Sequence, residues 1–159
     1  MWQGNVVGIS VTGVGSAPMS SVAEAKAVAG RGLEGDRYFE RQGTFTDNPN
    51  RTGRQVTLIE SEAIEALERE YGLKICATDA RRNIVTRGVP LNHLIDQEFL
   101  VGDVRMRGVR LSEPCMHMAG LVDPKNKDAI RTGLMHRGGL RADILSDGTI
   151  RVGDIVKEG

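Results

Sequence analysis

The sequence predicts a single domain of mostly β, α+β class, shaped like a small β-barrel with two or three short helices. Short apolar segments alternate with polar residues in period two, which is typical of half-buried strands. Glycine contributes 20 of the 159 residues and proline 5, so tight turns are frequent in a folded chain. The length fits one domain over residues 1–159, large enough to bury a core without disulfide bonds.

Two strands are predicted near the start of the chain. Residues 7–12 alternate in period two and place Val7 on the apolar face. After a loop over 13–21, residues 22–29 alternate again with alanines on one face. Glycines then punctuate residues 30–37, which indicates a turn.

A long loop and the first helix follow. Residues 40–53 combine glycine, an Asn-Pro step and mixed charge without apolar periodicity, which predicts an exposed loop of the kind that often forms a lid. The apolar segment Gln55–Ile59 predicts a strand. A helix then begins with Ser61 as its cap and ends at Gly72, with Tyr71 on its apolar face.

The middle of the chain predicts short elements. We expect a strand over residues 83–86 and a helical turn over 90–95. Residues 99–110 have the pattern of a hairpin whose apolar face changes side, and this change predicts a bulge at Gly108.

The last elements are a second helix and short strands. Asp123 can cap a helix that runs from Pro124 to about Met135. Residues 140–157 predict two or three strands, with Asp147-Gly148 as the tight turn of a hairpin.

The net charge and the cysteine count exclude several classes of function. Basic and acidic residues both number 21, so the formal net charge is 0 and no long-range field favours nucleic acid as a partner. The two cysteines are too few for a disulfide framework, and no secretory signal or long apolar span opens the chain. We therefore expect a cytoplasmic protein with neither a membrane nor a nucleic acid as its partner.

The sharpest chemical feature is Cys115 in the segment Glu-Pro-Cys-Met-His. Because Pro114 restricts the backbone on both sides, this segment predicts a loop that presents the thiol after a strand. His117 would favour the thiolate and Glu113 would oppose it, and the sequence does not show which lies closer. Cys76 is expected to be a buried structural cysteine.

Other interpretations of the cysteine remain open. Cys115 together with His93, His117 and His136 offers possible zinc ligands, but their spacing matches no structural zinc site. Cysteine-dependent hydrolysis would need His117 or His136 as a base within about 3 Å of the thiol, or one water away.

Three clusters combine arginine with glycine or a strand edge. Such clusters can bring guanidinium groups and backbone amides to one anionic ligand, because arginine grips phosphate and carboxylate through two parallel hydrogen bonds. Asp36 could equally pair with a neighbouring arginine to hold a loop. The clusters are Gly35-Asp36-Arg37, Arg81-Arg82-Asn83 and His136-Arg137-Gly138-Gly139.

Taken in order, these segments resemble the MOSC family, which is named for the C-terminal part of eukaryotic molybdenum cofactor sulfurases. The resemblance covers nearly the whole chain. It is carried by Gly35-Asp36-Arg37, Gln55–Ile59, Arg82–Gly88, Glu113-Pro114-Cys115, His136–Ala142 and Ile150–Asp154.

The resemblance implies a compact β-rich fold and a site around Cys115. In relatives the matching cysteine is proposed to carry sulfur as a persulfide, or to ligate molybdenum in members that reduce N-hydroxylated compounds. Arg82 and Asn83 would contact the pterin or phosphate part of the molybdenum cofactor, and the same wall would include Asp36, Arg37 and Arg137.

The resemblance also leaves the reaction open. The sequence has no residue set for pyridoxal phosphate and no flavin or iron-sulfur motif, so electrons or sulfur would come from a partner protein. The alternative is a non-catalytic module that binds the anionic pterin cofactor and delivers it to a partner.

Overall fold

The computed structural model describes residues 1–40 and 52–159, and its main element is a closed barrel of short strands. The strands are β1 (Gln3–Val11), β2 (Ser20–Val22), β3 (Glu24–Val28), β4 (Gly32–Leu33), β5 (Val56–Glu60), β6 (Ile84–Arg87), β7 (Glu98–Val101), β8 (Val104–Leu111), β9 (Leu140–Ile144), β10 (Gly148–Arg151) and β11 (Ile155–Glu158). The helices are α1 (Ser61–Tyr71), α2 (Met116–Val122) and α3 (Lys127–Gly133), and 3-10 turns cover Thr78–Ala80 and Leu91–Leu94.

Seven strands form the barrel in the order β11-β7-β8-β9-β5-β6-β1, and the pairing of β1 with β11 closes the ring. Among the described residues every pair is antiparallel except β5 with β6, which α1 connects. A separate sheet of β10, β3 and β4 packs beside the barrel. The predicted α+β barrel class is thereby confirmed.

The barrel interior is filled by apolar side chains. Phe99, Met106 and Leu140 are fully buried there, together with valine, leucine and isoleucine from the other strands. A second apolar layer lies outside β5 and β6, where Ile59 and Val85 pack against the three helices. These two strands are therefore covered on both sides.

Two bulges shape the barrel wall. The register of β8 against β9 shifts after Gly108, as predicted, and a Cβ at this glycine would lie 2.0 Å from the Leu94 carbonyl oxygen. A second bulge interrupts β1 between Val6 and Gly8. This bulge explains why Val7 is exposed although simple alternation places it on the apolar face.

Helix α1 agrees with its predicted span but differs at its ends. Gly72 ends it in the left-handed conformation, with φ of 67°, as expected. Ser61 does not cap it: the N-cap is Glu60, and the Ser61 hydroxyl bonds to Glu62 instead. Tyr71 is exposed, because it lies at the end of the helix.

The second predicted helix is wrong in its extent. Within the predicted span the chain forms only the shorter α3, which begins at Lys127 and not at Pro124. A helix that was not predicted, α2, ends just before Asp123. Asp123 accepts hydrogen bonds from the Lys125 amide and the Asn126 side chain, so it stabilises the turn between the helices.

The predicted hairpin at Asp147-Gly148 is also wrong. The strand after it, β10, pairs with β3 and not with β9. The Asp147 carboxylate accepts a hydrogen bond from the Ala29 amide at 2.7 Å, and this bond directs the chain to the smaller sheet.

Asn83 holds three strands together just before β6. Its Oδ1 accepts hydrogen bonds from the Thr57 amide at 3.0 Å and the Thr57 hydroxyl at 3.2 Å, and its Nδ2 donates to the Ser10 carbonyl at 3.2 Å. The side chain is completely buried. Asn83 therefore connects β1, β5 and β6 at the end of the barrel from which Arg82 projects.

We expect Asn83→Ala to lower the free energy of unfolding by about 1–3 kcal/mol, because it leaves buried donors and acceptors without partners. Urea denaturation measures this loss. The control is Asn5→Ala on the exposed side of β1, which should change stability by less than about 0.5 kcal/mol. Equal stability of the two variants would contradict the assigned role.

Candidate functional site

One pocket brings together the Cys115 thiol, His117 and six arginines. It is a cavity of about 280 Å³, near the lower end for sites that bind small molecules. A second cavity of about 320 Å³ adjoins it and shares Ser16, Arg81 and Leu121 with it. The first cavity is lined by Ser16, Arg37, Tyr38, Arg54, Arg81, Arg82, Arg110, Glu113, Cys115, His117, Met118, Leu121 and Arg141.

Cys115 is exposed in this pocket, at the start of α2. Its backbone is extended, and its sulfur accepts a hydrogen bond from the Met118 amide at 3.4 Å. The predicted presentation of the thiol at the end of a strand is confirmed by its position four residues after the end of β8 and one residue before the helix.

The acid and base beside Cys115 have other partners. Both oxygens of Glu113 accept hydrogen bonds from His136, one from its amide and one from its ring, each at 2.7 Å. His117 Nε2 bonds to the Ser16 hydroxyl at 2.9 Å, which joins the loop after β1 to α2. These contacts orient Glu113 and both histidines toward neighbours other than the thiol.

Arg82 lies beneath the pocket and fixes the segment before the cysteine. Its Nε donates to the Gly138 carbonyl at 2.8 Å and its Nη2 to the Ser112 carbonyl at 2.9 Å. Burial lowers the pKa of Arg82 to about 10, and repulsion by Arg141 adds to this, but the group stays charged at neutral pH. Arg82 therefore carries a buried positive charge at the base of the pocket.

Asp36 and Arg37 form a buried ion pair, with Oδ1 and Nη1 3.2 Å apart. Asp36 is completely buried and also accepts hydrogen bonds from the amides of Thr12 and Tyr38. Burial raises the pKa of Asp36, although Arg37 and the two amides oppose the change. The alternative in which Asp36 holds a loop is thus present, whereas Arg37 also reaches the pocket.

Arg81 reaches the pocket from an unusual backbone conformation. Its φ is 58°, a left-handed value that non-glycine residues adopt rarely and that often marks functional sites. Its Nη1 donates to the Ala17 carbonyl at 2.8 Å. Because of this backbone turn, the side chains of two consecutive arginines reach the pocket from different sides. Arg82 lies below the pocket and Arg81 lies at its side.

Two further arginines project from the barrel wall, and sequence analysis missed them. Arg110 on β8 lies directly opposite Arg141 on β9 in the strand register. Arg54 lies close enough to Arg110 to lower its pKa, after the larger effects of burial and of Arg141. Arg141 lies in the segment His136–Ala142 that carries the resemblance, but neither arginine was singled out, because only the pairing of the two strands brings them together.

The pocket has a positive field. Within residues 1–40 and 52–159, no ion pair forms at Arg81, Arg82 or Arg110. Burial alone would raise the pKa of Tyr38, but Arg37, Arg141 and Arg82 outweigh it and lower that pKa. A buried phenol with a lowered pKa indicates surroundings that favour negative charge.

Several predicted site residues lie outside the pocket lining. Asn83 and Asp36 stand behind it and support the residues beside them in sequence. Arg137 pairs with Glu70 and donates to the Gly133 carbonyl, so it connects α1 with α3. A role of these three residues in ligand contact remains a prediction.

Cys76 corrects another expectation, since it is exposed and not buried. Its sulfur bonds to the Asp79 carboxylate at 3.0 Å, in the segment between α1 and β6.

The predicted loop over 40–53 lies largely outside the described residues. No cluster of three or more His, Cys, Asp or Glu side chains able to hold a metal occurs in the described chain, and none of its helices is long and apolar enough to cross a bilayer.

The fold is a closed barrel, and its pocket places a thiol among arginine side chains. Small domains of this class suit an anionic ligand that also carries an atom able to bond to sulfur. A family model described as MOSC domain matches residues 36–157, and the chain belongs to this family. The family is associated with molybdenum cofactor binding or sulfuration. The resemblance predicted from the sequence is thereby confirmed.

Solved structures share the fold at low sequence identity. The YuaD protein from Bacillus subtilis is similar with a TM-score of 0.81 and 16% identity, covering 98% of this chain and 97% of that one. YiiM from Geobacillus stearothermophilus matches with a TM-score of 0.68 and 16% identity, covering 98% and 75%. YiiM from Escherichia coli matches with a TM-score of 0.65 and 16% identity, covering 100% and 70%. No curated protein matches the sequence.

Removal of the Asp79 carboxylate should change the reactivity of Cys76 and leave that of Cys115 unchanged. Asp79 raises the pKa of Cys76 through its hydrogen bond and its charge. We expect Asp79→Asn to lower that pKa, increase the thiolate fraction at pH 8 and speed alkylation of Cys76. Peptide mass spectrometry over time measures both cysteines, and the Cys115 rate is the internal control. An unchanged Cys76 rate would contradict the assigned contact.

Proposed function

We propose that this protein binds the molybdenum cofactor in the arginine-lined pocket, with the Cys115 sulfur as a ligand of the metal. The observation that carries the proposal is the exposed Cys115 thiol in the same cavity as six arginines. The cofactor is a pyranopterin with a phosphate at one end and a metal that accepts soft sulfur donors at the other. One cavity thus offers partners for both ends.

The residues present fit this group. A soft donor is available at Cys115, and neither Arg81 nor Arg82 forms an ion pair with a carboxylate within the described chain. Glu113, the acidic residue in the described lining, is occupied by His136. The pocket can therefore receive an anion without first breaking an ion pair at these two arginines.

Each residue has a defined task in this proposal. Arg82 holds the Ser112 carbonyl and so positions the segment that carries Cys115. Arg81 provides positive charge on the wall beneath the loop after β1, whereas the charge of Arg37 on that wall is offset by its ion pair with Asp36. Asp36 and Asn83 act as positioning residues behind that wall. When bound, the cofactor supplies the redox chemistry, and the protein supplies binding and orientation.

Sulfur carriage on the same thiol is the second candidate. A persulfide needs an exposed cysteine, and Cys115 meets that requirement. Among the described residues that line the pocket Cys115 has no second cysteine beside it, so a sulfur donor or acceptor would be another molecule. A reducing compartment, which two free cysteines favour, would keep the thiol available.

We expect Cys115→Ser to lose most of the bound molybdenum, because the softer sulfur ligand is replaced by a hydroxyl. Wild type and variants are purified from a host that makes the cofactor, and metal content is measured by mass spectrometry. Cys76→Ser is the matched control, since it changes an exposed cysteine outside the pocket and should retain wild-type molybdenum.

Three other outcomes separate the alternatives. Equal molybdenum in wild type and Cys115→Ser would favour a binding module in which the arginines act without the thiol. Thiocyanate released by cyanide from wild type and not from Cys115→Ser would favour sulfur carriage. Absence of both molybdenum and cyanide-labile sulfur from wild type would refute the proposal.

A further inference from the structure

Another cavity, which we call the Trp2 cavity, lies at the end of the barrel opposite the Cys115 pocket. Its volume is about 480 Å³, within the range for sites that bind small molecules. Trp2 lines it just before β1 begins, whereas Ser16, which follows β1, lines the Cys115 pocket. The nine residues of β1 span about 25 Å, and the two cavities share no described lining residue. They are therefore separate sites.

The apolar wall of this cavity is formed by close packing at the start of β1. Gly4 lies against the segment that follows β6, because a Cβ there would be 2.2 Å from the Arg87 carbonyl oxygen. This approach brings Trp2 and Pro90 to the same cavity. Trp2 is partly buried and packs against the barrel core, and the buried Leu94 extends the wall. An indole side chain is thus held at the mouth of the barrel.

The opposite wall carries negative charge at Glu158. The antiparallel register pairs Gln3 with Lys157, and one further step places Glu158 opposite Trp2. Glu158 lies on the same face of β11 as Val156, which is buried in the barrel. This carboxylate therefore stands where an apolar side chain would extend the core. It forms no ion pair within residues 1–40 and 52–159.

Glu98 adds a second carboxylate to the lining. It pairs with Arg105 at 3.4 Å, but both side chains are about half exposed, and such surface pairs contribute little. His93 and Gln97 are further polar residues of the lining, and no lysine or arginine of the described chain belongs to it. Because the face of an aromatic ring is also negative, the indole and the two carboxylates favour a positively charged ligand.

We propose that the Trp2 cavity binds a small organic ammonium cation. A methylated ammonium group suits both walls, since its methyl groups pack on the indole while its charge faces Glu98 and Glu158. An inorganic cation would leave the apolar wall unused, and an uncharged apolar molecule would gain nothing from the carboxylates. The site goes beyond the proposed function and does not depend on it, because Cys115 lies at the other end of the barrel.

The chain contains one tryptophan, so its intrinsic fluorescence reports directly on this cavity. Choline is titrated against the wild type at pH 8 and constant ionic strength. The comparison ligand is its uncharged analogue, in which carbon replaces the quaternary nitrogen. We expect choline to change the emission saturably and to bind at least about tenfold more tightly than the analogue, because only the cation gains from the indole face and the carboxylates.

Substitutions test the two walls separately. Trp2→Leu should weaken choline binding about threefold to thirtyfold, and Trp2→Phe should restore part of the affinity, since a smaller aromatic ring remains. Binding to both variants is followed by the choline methyl resonance in NMR titrations. Glu158→Gln should weaken binding about twofold to fivefold, as for one exposed charge. The control is Glu68→Gln, an exposed carboxylate on α1 outside the cavity, which should bind choline as the wild type does.

Three results would overturn the proposal: no saturable binding of choline by the wild type, equal affinity for choline and its uncharged analogue, or unchanged affinity in both Trp2→Leu and Glu158→Gln. Glu158→Gln alters only an exposed side chain, so it decides the matter if Trp2→Leu does not fold. Cys115→Ser should retain wild-type choline affinity whatever its molybdenum content, so failure of one proposal is distinguishable from failure of the other.

Discussion

The arrangement of the site depends on the two hydrogen bonds that Arg82 donates to main-chain carbonyls. They join the segment before Cys115 to the segment before β9, and a Cβ at Gly138 would lie 2.4 Å from the Ser112 carbonyl oxygen. These segments therefore approach as closely as glycine permits. A buried charge is tolerated only when it is well hydrogen-bonded, and the two carbonyls meet this condition. Arg82 thus joins the two main-chain segments and also contributes positive charge to the pocket.

The pocket combines features that a stability argument alone would not favour. It collects guanidinium groups, a left-handed arginine backbone at Arg81 and a cross-strand arginine pair. Such features are retained where function needs them and are supported by stable surroundings. Here the barrel core and the buried Asn83 network supply that support, because both hold the strands from which the arginines project.

The sequence predicted the strands and α1 well because periodicity and glycine punctuation are local signals. The bulge at Gly108 was predictable from the change of apolar face along one strand. The bulge in β1 was not, since alternation through Val7 continues across it. The pairing of β10 with β3 could not be predicted either, because the contact between Asp147 and Ala29 that directs the strand joins residues 118 positions apart.

The same distinction applies to the site. Cys115 stood out because proline and a strand end define its surroundings locally. Arg110 and Arg141 did not, because they belong to different strands and only the register aligns them. Asn83 and Asp36 were noticed in sequence motifs, but their side chains turn toward the backbone. A motif therefore identifies a neighbourhood, and tertiary structure decides which of its members faces a ligand.

Ring closure has a kinetic consequence. Gln3 pairs with Lys157, so the seam between β1 and β11 joins positions near opposite ends of the sequence. Chains dominated by such distant pairings fold slowly, since the entropy of a large loop is lost before the contacts form. Closing the seam therefore costs more chain entropy than pairing neighbouring strands, and wherever the seam is open β1 and β11 each expose an unpaired edge on which another chain can dock.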